Sequence, residues 1–155
     1  RVAYQGHHHS HASVMHLLAE AGLQIVSLGV RTLSTEEELA RIKHGVITHD
    51  GPKLVRNNIS QMEVPDDFPE NIYITFDVDG LDPSVIAATG TPVPGGLGFY
   101  QSLDLVESTL RGRRCVGIDI TELAPVEGQT SNDFTAALIC YTIMAMAAKT
   151  TLKFT

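Results

Sequence analysis

The sequence is short of basic residues. Eleven Lys plus Arg stand against eighteen Asp plus Glu, no Lys/Arg cluster interrupts that balance, and the net charge is −7. A nucleic-acid or anionic-membrane surface is therefore disfavoured, and an acidic protein suits cationic small molecules. Cysteine is scarce as well. Cys115 and Cys140 lie inside apolar stretches without CxxC spacing, which points to two reduced core thiols in a cytoplasmic protein rather than to a disulfide framework. Long apolar runs are also lacking. The longest, Phe134 to Ala148, falls short of the ~18–20 residues of a spanning helix and contains Thr135 and Thr142, so it reads as a buried helix. No charged-then-apolar leader opens the chain, which argues against a signal peptide, and a start at Arg1 rather than Met suggests a fragment or processed product.

What is present is the composition of a packed domain: 155 residues, 43% hydrophobic and only 19% charged, with neither repeats nor a linker. One domain, or part of one, is expected over residues 1–155. Helical spacing of Val14, Leu17, Leu18 and Ala21 predicts a helix from His11 to Gly22, and Gln24 to Val30 reads as a short apolar strand. Ser34 followed by Glu37 is a capping-box pattern, opening a helix through Leu39 and Ile42 that stops before Gly45. Gly45 to Thr48 is a further strand, and Asp50 to Glu70 is read as a helix and a Pro-containing loop. Asn71 to Asp79 is the clearest strand, followed by a Gly- and Pro-rich loop from Gly80 to Gly98 of the kind that carries function. A helix over about Tyr100–Leu110, a strand over Arg114–Leu123, a turn over Ala124–Gln129 and a final helix capped by Ser131 and running through Met146 complete the pattern. Strands alternating with helices imply parallel βαβ units in an α/β fold.

In such sheets ligands bind beyond the carboxyl ends of the strands, and Asp77 and Asp79 lie there, just before Gly80. Their i, i+2 spacing on a strand sends both carboxylates to one face and Val78 to the other. Two adjacent carboxylates repel unless a cation lies between them, and a hard divalent ion such as Mg or Mn suits their oxygens. For an isolated DxD, helix capping or pairing with an arginine is the competing reading.

The residues around the pair are more specific. Phe76–Asp77–Val78–Asp79–Gly80–Leu81–Asp82–Pro83, then Ala88–Thr89–Gly90–Thr91–Pro92–Val93–Pro94–Gly95–Gly96–Leu97, resembles the signature of the ureohydrolases, the arginase and agmatinase family. Gly117 to Pro125 resembles the family's later block. Ser10 to Met15 and Val26 to Arg31 are similar to the stretch that follows the agmatinase metal motif. The resemblance implies a three-layer arginase-like α/β fold with a mostly parallel sheet, of which this chain is the later half only. It implies a binuclear site with two Mn2+ ions, in which Asp77 bridges the metals and Asp79 binds one, and whose activated water attacks a guanidinium carbon to release urea. Glu122 would grip the guanidinium, a planar fork of N–H donors. Thr91 would lie in the turn near that carboxylate, with a purely structural turn role equally open. His11 would shuttle protons at the mouth of the site, against the plainer reading of a solvent-facing helix start. Asp119 is expected to support the site from the neighbouring strand, and Asp82 to form a turn. His7, His8 and His9 read as a flexible solvated loop.

Ser10–His11–Ala12–Ser13 stands where arginases read an amino-acid head group, which favours agmatine as substrate, with putrescine and urea as products. The family's earlier GGDH-like and DxHxD blocks are missing, so the chain alone is expected to be inactive. A non-catalytic ureohydrolase-like subunit that acts by association, and a homo-oligomer in either case, is the alternative; partners other than a small guanidine, nucleic acid and membrane included, are not expected. A haloacid-dehalogenase-like phosphatase fits Asp77–Val78–Asp79–Gly80 superficially, but the only later lysines are Lys149 and Lys153.

Overall fold

The computed structural model describes residues 1–151. A 3-10 turn at His11–Ser13 leads into α1 (Val14–Glu20), β1 (Val26–Leu28), α2 (Thr35–Lys43), β2 (Ile47–His49) and α3 (Gly51–Arg56). Coil then reaches β3 (Asn71–Asp77), a 3-10 turn at Val78–Gly80, the Gly/Pro loop, α4 (Phe99–Thr109), β4 (Arg114–Thr121) and α5 (Thr130–Thr151). β1 pairs with β2, and β3 with β4, in parallel. The α/β organisation expected from the alternation of elements is present. Among the described residues it consists of two separate two-stranded ladders.

Local signals explain most elements. Ser34 and Glu37 form the capping box that opens α2: the Glu37 N–H donates to Ser34 Oγ at 3.3 Å and the Ser34 N–H to Glu37 Oε2 at 2.6 Å. Glu36, Glu37 and Glu38 fill its first turn and Arg41 and Lys43 its last, in the sense the helix dipole favours. Along β3 the residues alternate strictly. Ile72, Ile74 and Phe76 pack on the core, while Asn71, Tyr73, Thr75 and Asp77 face outward. A bulge moves the register so that Tyr73 pairs with Gly117. A Cβ at Gly117 would lie 2.6 Å from the Tyr73 ring, so glycine is what lets the ring cross the ladder.

The core joins α3, the β3–β4 ladder, the Gly/Pro loop, α4 and α5, with Leu54, Val78, Ile139 and Ile143 fully buried. Cys115 belongs to it, and both Cys115 and Cys140 are free thiols. No helix among the described residues is long and apolar enough to cross a membrane.

Several expectations need correction. β3 stops at Asp77, because the Asp77 carboxylate accepts the Asp79 N–H and turns the chain into a 3-10 segment. α5 begins at Thr130, so Ser131 lies inside the helix, where its carbonyl accepts the Thr135 hydroxyl at 2.8 Å, rather than capping it. β1 and β2 are three residues each, shorter than the apolar runs that announced them. α5 is buried on one face only: Phe134, Leu138, Tyr141 and Met144 are exposed. The helix carries apolar residues on all sides, and the described residues supply packing partners for only one of them.

Candidate active site

The β3–β4 register aligns Asp77 with Thr121, so Glu122, the next residue, emerges beside the end of β3. Glu122 has φ 64°, a left-handed conformation that costs a non-glycine residue roughly 1–2 kcal/mol. The loop enforces it: Leu123 bridges to Thr89, the Ala124 N–H donates to the Ala88 carbonyl at 2.9 Å, and the Thr89 hydroxyl donates to the Glu122 carbonyl at 2.9 Å. Strain held in place by surrounding bonds is characteristic of sites where one side chain must be aimed.

Asp77 and Asp79 come together through a turn and not through strand alternation. The Asp79 N–H donates to Asp77 Oδ1 at 2.8 Å, while the two oxygens of Asp79 accept from the hydroxyls of Thr89 and Thr91. Thr91, expected near Glu122, is thus bonded to Asp79. Thr89, to which no role was assigned from sequence, ties Asp79 to the Glu122 backbone. Asp77 is exposed as a residue, yet its carboxyl group is poorly hydrated. The protein around it pushes its pKa up to about 6, the negative charges of Asp79 and Glu122 add to the rise, and the Asp79 N–H and the Arg31 charge oppose it.

Arg31 is a second residue without a role in the sequence reading. From the loop after β1 it donates Nη1–H to the Gly80 carbonyl at 3.0 Å and Nη2–H to the Asp79 carbonyl, clamping the turn that carries Asp79. A Cβ on Gly51 would lie 2.7 Å from Arg31 Cγ, so glycine there leaves the arginine its path. Arg31 stood within a motif, but nothing local announces a bond to a residue 48 positions away. Asp82 also does more than form a turn. Its carboxylate accepts from the Ser84 N–H at 3.0 Å, the Ser84 hydroxyl at 2.6 Å, and the Gly95 and Gly96 N–H groups at 2.8 and 3.3 Å. These donors hold its pKa down at about 2. With the Asp82–Leu97 and Leu97–Gly80 backbone bonds, they close the loop on itself.

The remaining candidates lie further from the cluster's bonds. Asp119 accepts from the Thr75 hydroxyl at 2.7 Å, one pleat before Asp77. His11 is exposed, its ring edge-on to Tyr4 with centroids 5.3 Å apart, and among the described residues it has no hydrogen bond to Asp77, Asp79 or Glu122. His7, His8 and His9 are exposed. Their backbone is held by paired Tyr4–His7 bonds of 3.0 and 2.9 Å and by the Ser13 hydroxyl on the His8 carbonyl at 2.8 Å.

Asp77, Asp79 and Glu122 thus share one end of the β3–β4 ladder, near enough for the charges of Asp79 and Glu122 to act on Asp77, although the three do not form a closed group of ligand atoms. None has a salt-bridge partner among the described residues, and Arg31 directs its donors to carbonyls. Neighbouring hard-oxygen donors, with the Asp77 carboxyl pushed up in pKa, fit a divalent cation, and two aspartates fill only part of its coordination shell. The same cluster leaves Glu122 to meet an organic cation bidentately.

A family model described as the arginase family matches residues 1–148. N(1)-aminopropylagmatine ureohydrolase of Thermus thermophilus is 35% identical over 138 residues, 89% of this chain and 47% of that protein. Agmatinase of Pyrococcus horikoshii is 30% identical over 149 residues, 96% of this chain and 52% of that protein. Among solved structures, the agmatine ureohydrolase of Thermoplasma volcanium superposes with a TM-score of 0.78 at 28% identity, covering 96% of this chain and 51% of its own. The chain spans about half the length of the curated relatives it matches. The phosphatase alternative is displaced by these matches.

Proposed function

The chain belongs to the arginase family, and from that premise we propose that it is the later half of a ureohydrolase that converts agmatine and water to putrescine and urea. The observation that carries the proposal is the placement of Asp77, Asp79 and Glu122 together at the carboxyl ends of β3 and β4. Asp77 and Asp79 would hold manganese. Bound there, the ions would make water acidic enough to serve as a nucleophile near neutral pH. Thr89 and Thr91 fix the Asp79 carboxylate, and Arg31 fixes the turn beneath it. Glu122 would receive the guanidinium fork and orient its carbon, and Thr91 would border that pocket. His11 would carry protons to the departing amine.

Agmatine is preferred to arginine because Ser10–His11–Ala12–Ser13 offers no head-group reader of the arginase kind. The Thermus relative's name adds N(1)-aminopropylagmatine as a substrate with the same guanidine end. A second reading, a non-catalytic subunit acting by association, is supported by the exposed apolar face of α5, where Phe134 is 73% and Tyr141 72% exposed. The discriminating experiment uses a protein of the relatives' full length containing these residues. Asp77→Asn should lower bound manganese and agmatine-dependent urea release together, because a neutral amide is a poor ligand for a cation. Full occupancy with normal turnover would refute the metal role of Asp77, whereas absence of urea release from the unsubstituted protein would favour the association reading.

A further inference from the structure

A second cluster of metal-ligating side chains lies between α1 and the end of α2, and uses none of the residues discussed so far. His16 and Glu20 are four residues apart on α1, hence on one face of the helix, with His16 Nε2 3.4 Å from Glu20 Oε1. His44 sits at the C-cap of α2, its ring edge-on to His16 with centroids 5.7 Å apart. One ligand atom from each of the three lies within 4.8 Å of the other two.

Hydrogen bonding leaves this cluster incomplete. Among the described residues His44 Nε2 is buried and has no hydrogen-bond partner, whereas buried polar atoms are ordinarily satisfied because an unmet donor or acceptor is costly. The His16 side chain is only 10% exposed, so two nitrogen ligands are held by packing, while Glu20 at 53% keeps a route to solvent. Two imidazoles and one carboxylate form a donor set suited to zinc and its first-row neighbours, unlike the all-oxygen cluster at Asp77. Around a tetrahedral zinc ion with ~2.0–2.1 Å bonds to nitrogen, ligand atoms stand about 3.4 Å apart. The His16–Glu20 pair already has that separation, and a His44 ligand atom lies within 4.8 Å of both partners.

We propose that His16, Glu20 and His44 form a mononuclear Zn2+ site, with water in the fourth position, that clips α1 to the end of α2. Its three protein ligands leave the fourth position to solvent, and its direct effect is to fasten the last turn of α1 to the C-cap of α2.

The test is calorimetric titration of the 155-residue chain with Zn2+, in a background carrying His7→Ala, His8→Ala and His9→Ala so that the exposed histidine turn does not compete. One ion should bind per chain. Glu20→Gln and His44→Gln should each weaken binding at least tenfold with far-UV circular dichroism unchanged, and Asp77→Asn should leave the affinity within twofold. Absence of binding, unchanged affinity in both Glu20→Gln and His44→Gln, or loss only in Asp77→Asn would overturn the proposal. Should His44→Gln fail to fold, the solvent-facing Glu20→Gln decides alone, and undiminished affinity there is refutation.

Discussion

Two aspartates five positions apart illustrate how differently one loop treats the same side chain. Asp77 is pushed up to about 6 by poor hydration and like charge, whereas Asp82 is drawn down to about 2 by the Ser84, Gly95 and Gly96 donors. The linkage for Asp82 has a definite sign. Its folded pKa lies below the ordinary carboxylate value, so its contribution is present above about pH 4 and is lost as pH falls towards 2. Asp82→Asn should therefore cost about 1 kcal/mol at neutral pH, the smaller end of the range for bonds to a charged but partly solvated group, and show a shallower loss of stability between pH 4 and 2. Urea unfolding at pH 7, 4 and 2.5 measures both; equal pH slopes for the two proteins would remove Asp82 as the fastener of the loop. At this scale Asp77, Asp79 and Glu122 were legible because they stand in recognisable runs of residues. Arg31 and Thr89 were not, since their value lies in bonds across 48 and 33 positions that no short pattern encodes.

Elements were legible where their cause is local. The Ser34–Glu37 box and the alternation of β3 are decided by neighbours within a few residues, and both took the expected form. The end of β3 was misread because Asp77 uses its own carboxylate to turn the chain, a choice made by one hydrogen bond within a run whose alternation of apolar and polar residues continues through Val78. The geometry of the loop after it depends on Gly96, where a Cβ would lie 2.4 Å from the carbonyl carbon and oxygen of Leu81 and 2.5 Å from the Asp82 nitrogen. Those atoms are backbone and cannot rotate away. Gly96→Ala should cost about 1–3 kcal/mol and lower the metal-linked gain in melting temperature by loosening Asp79. A variant with unchanged melting temperature, with and without manganese, would show that the loop is not a stiff support.

For the molecule as a whole, the missing share of the relatives' length and the apolar outer face of α5 carry the same implication. In the proposed site Asp77 and Asp79 would supply only part of the metal ligands, and Phe134, Leu138, Tyr141 and Met144 are exposed among the described residues. Residues 1–155 by themselves, given excess manganese and agmatine, should self-associate by sedimentation and release no urea above a protein-free control. Sustained turnover would mean that other groups complete the site.

The central claim, that Asp77 with Asp79 and Glu122 are the metal and guanidine ends of one site, is tested most directly by Glu122→Gln in a protein of the relatives' full length, with bound manganese and agmatine-dependent urea release measured on the same preparation. A carboxamide keeps the shape of Glu122 but presents a donor to a donor. Manganese per chain should stay at the wild-type value while kcat/KM falls by about a hundredfold. Unchanged kcat/KM, or a fall in activity matched by equal loss of manganese, would contradict the assignment.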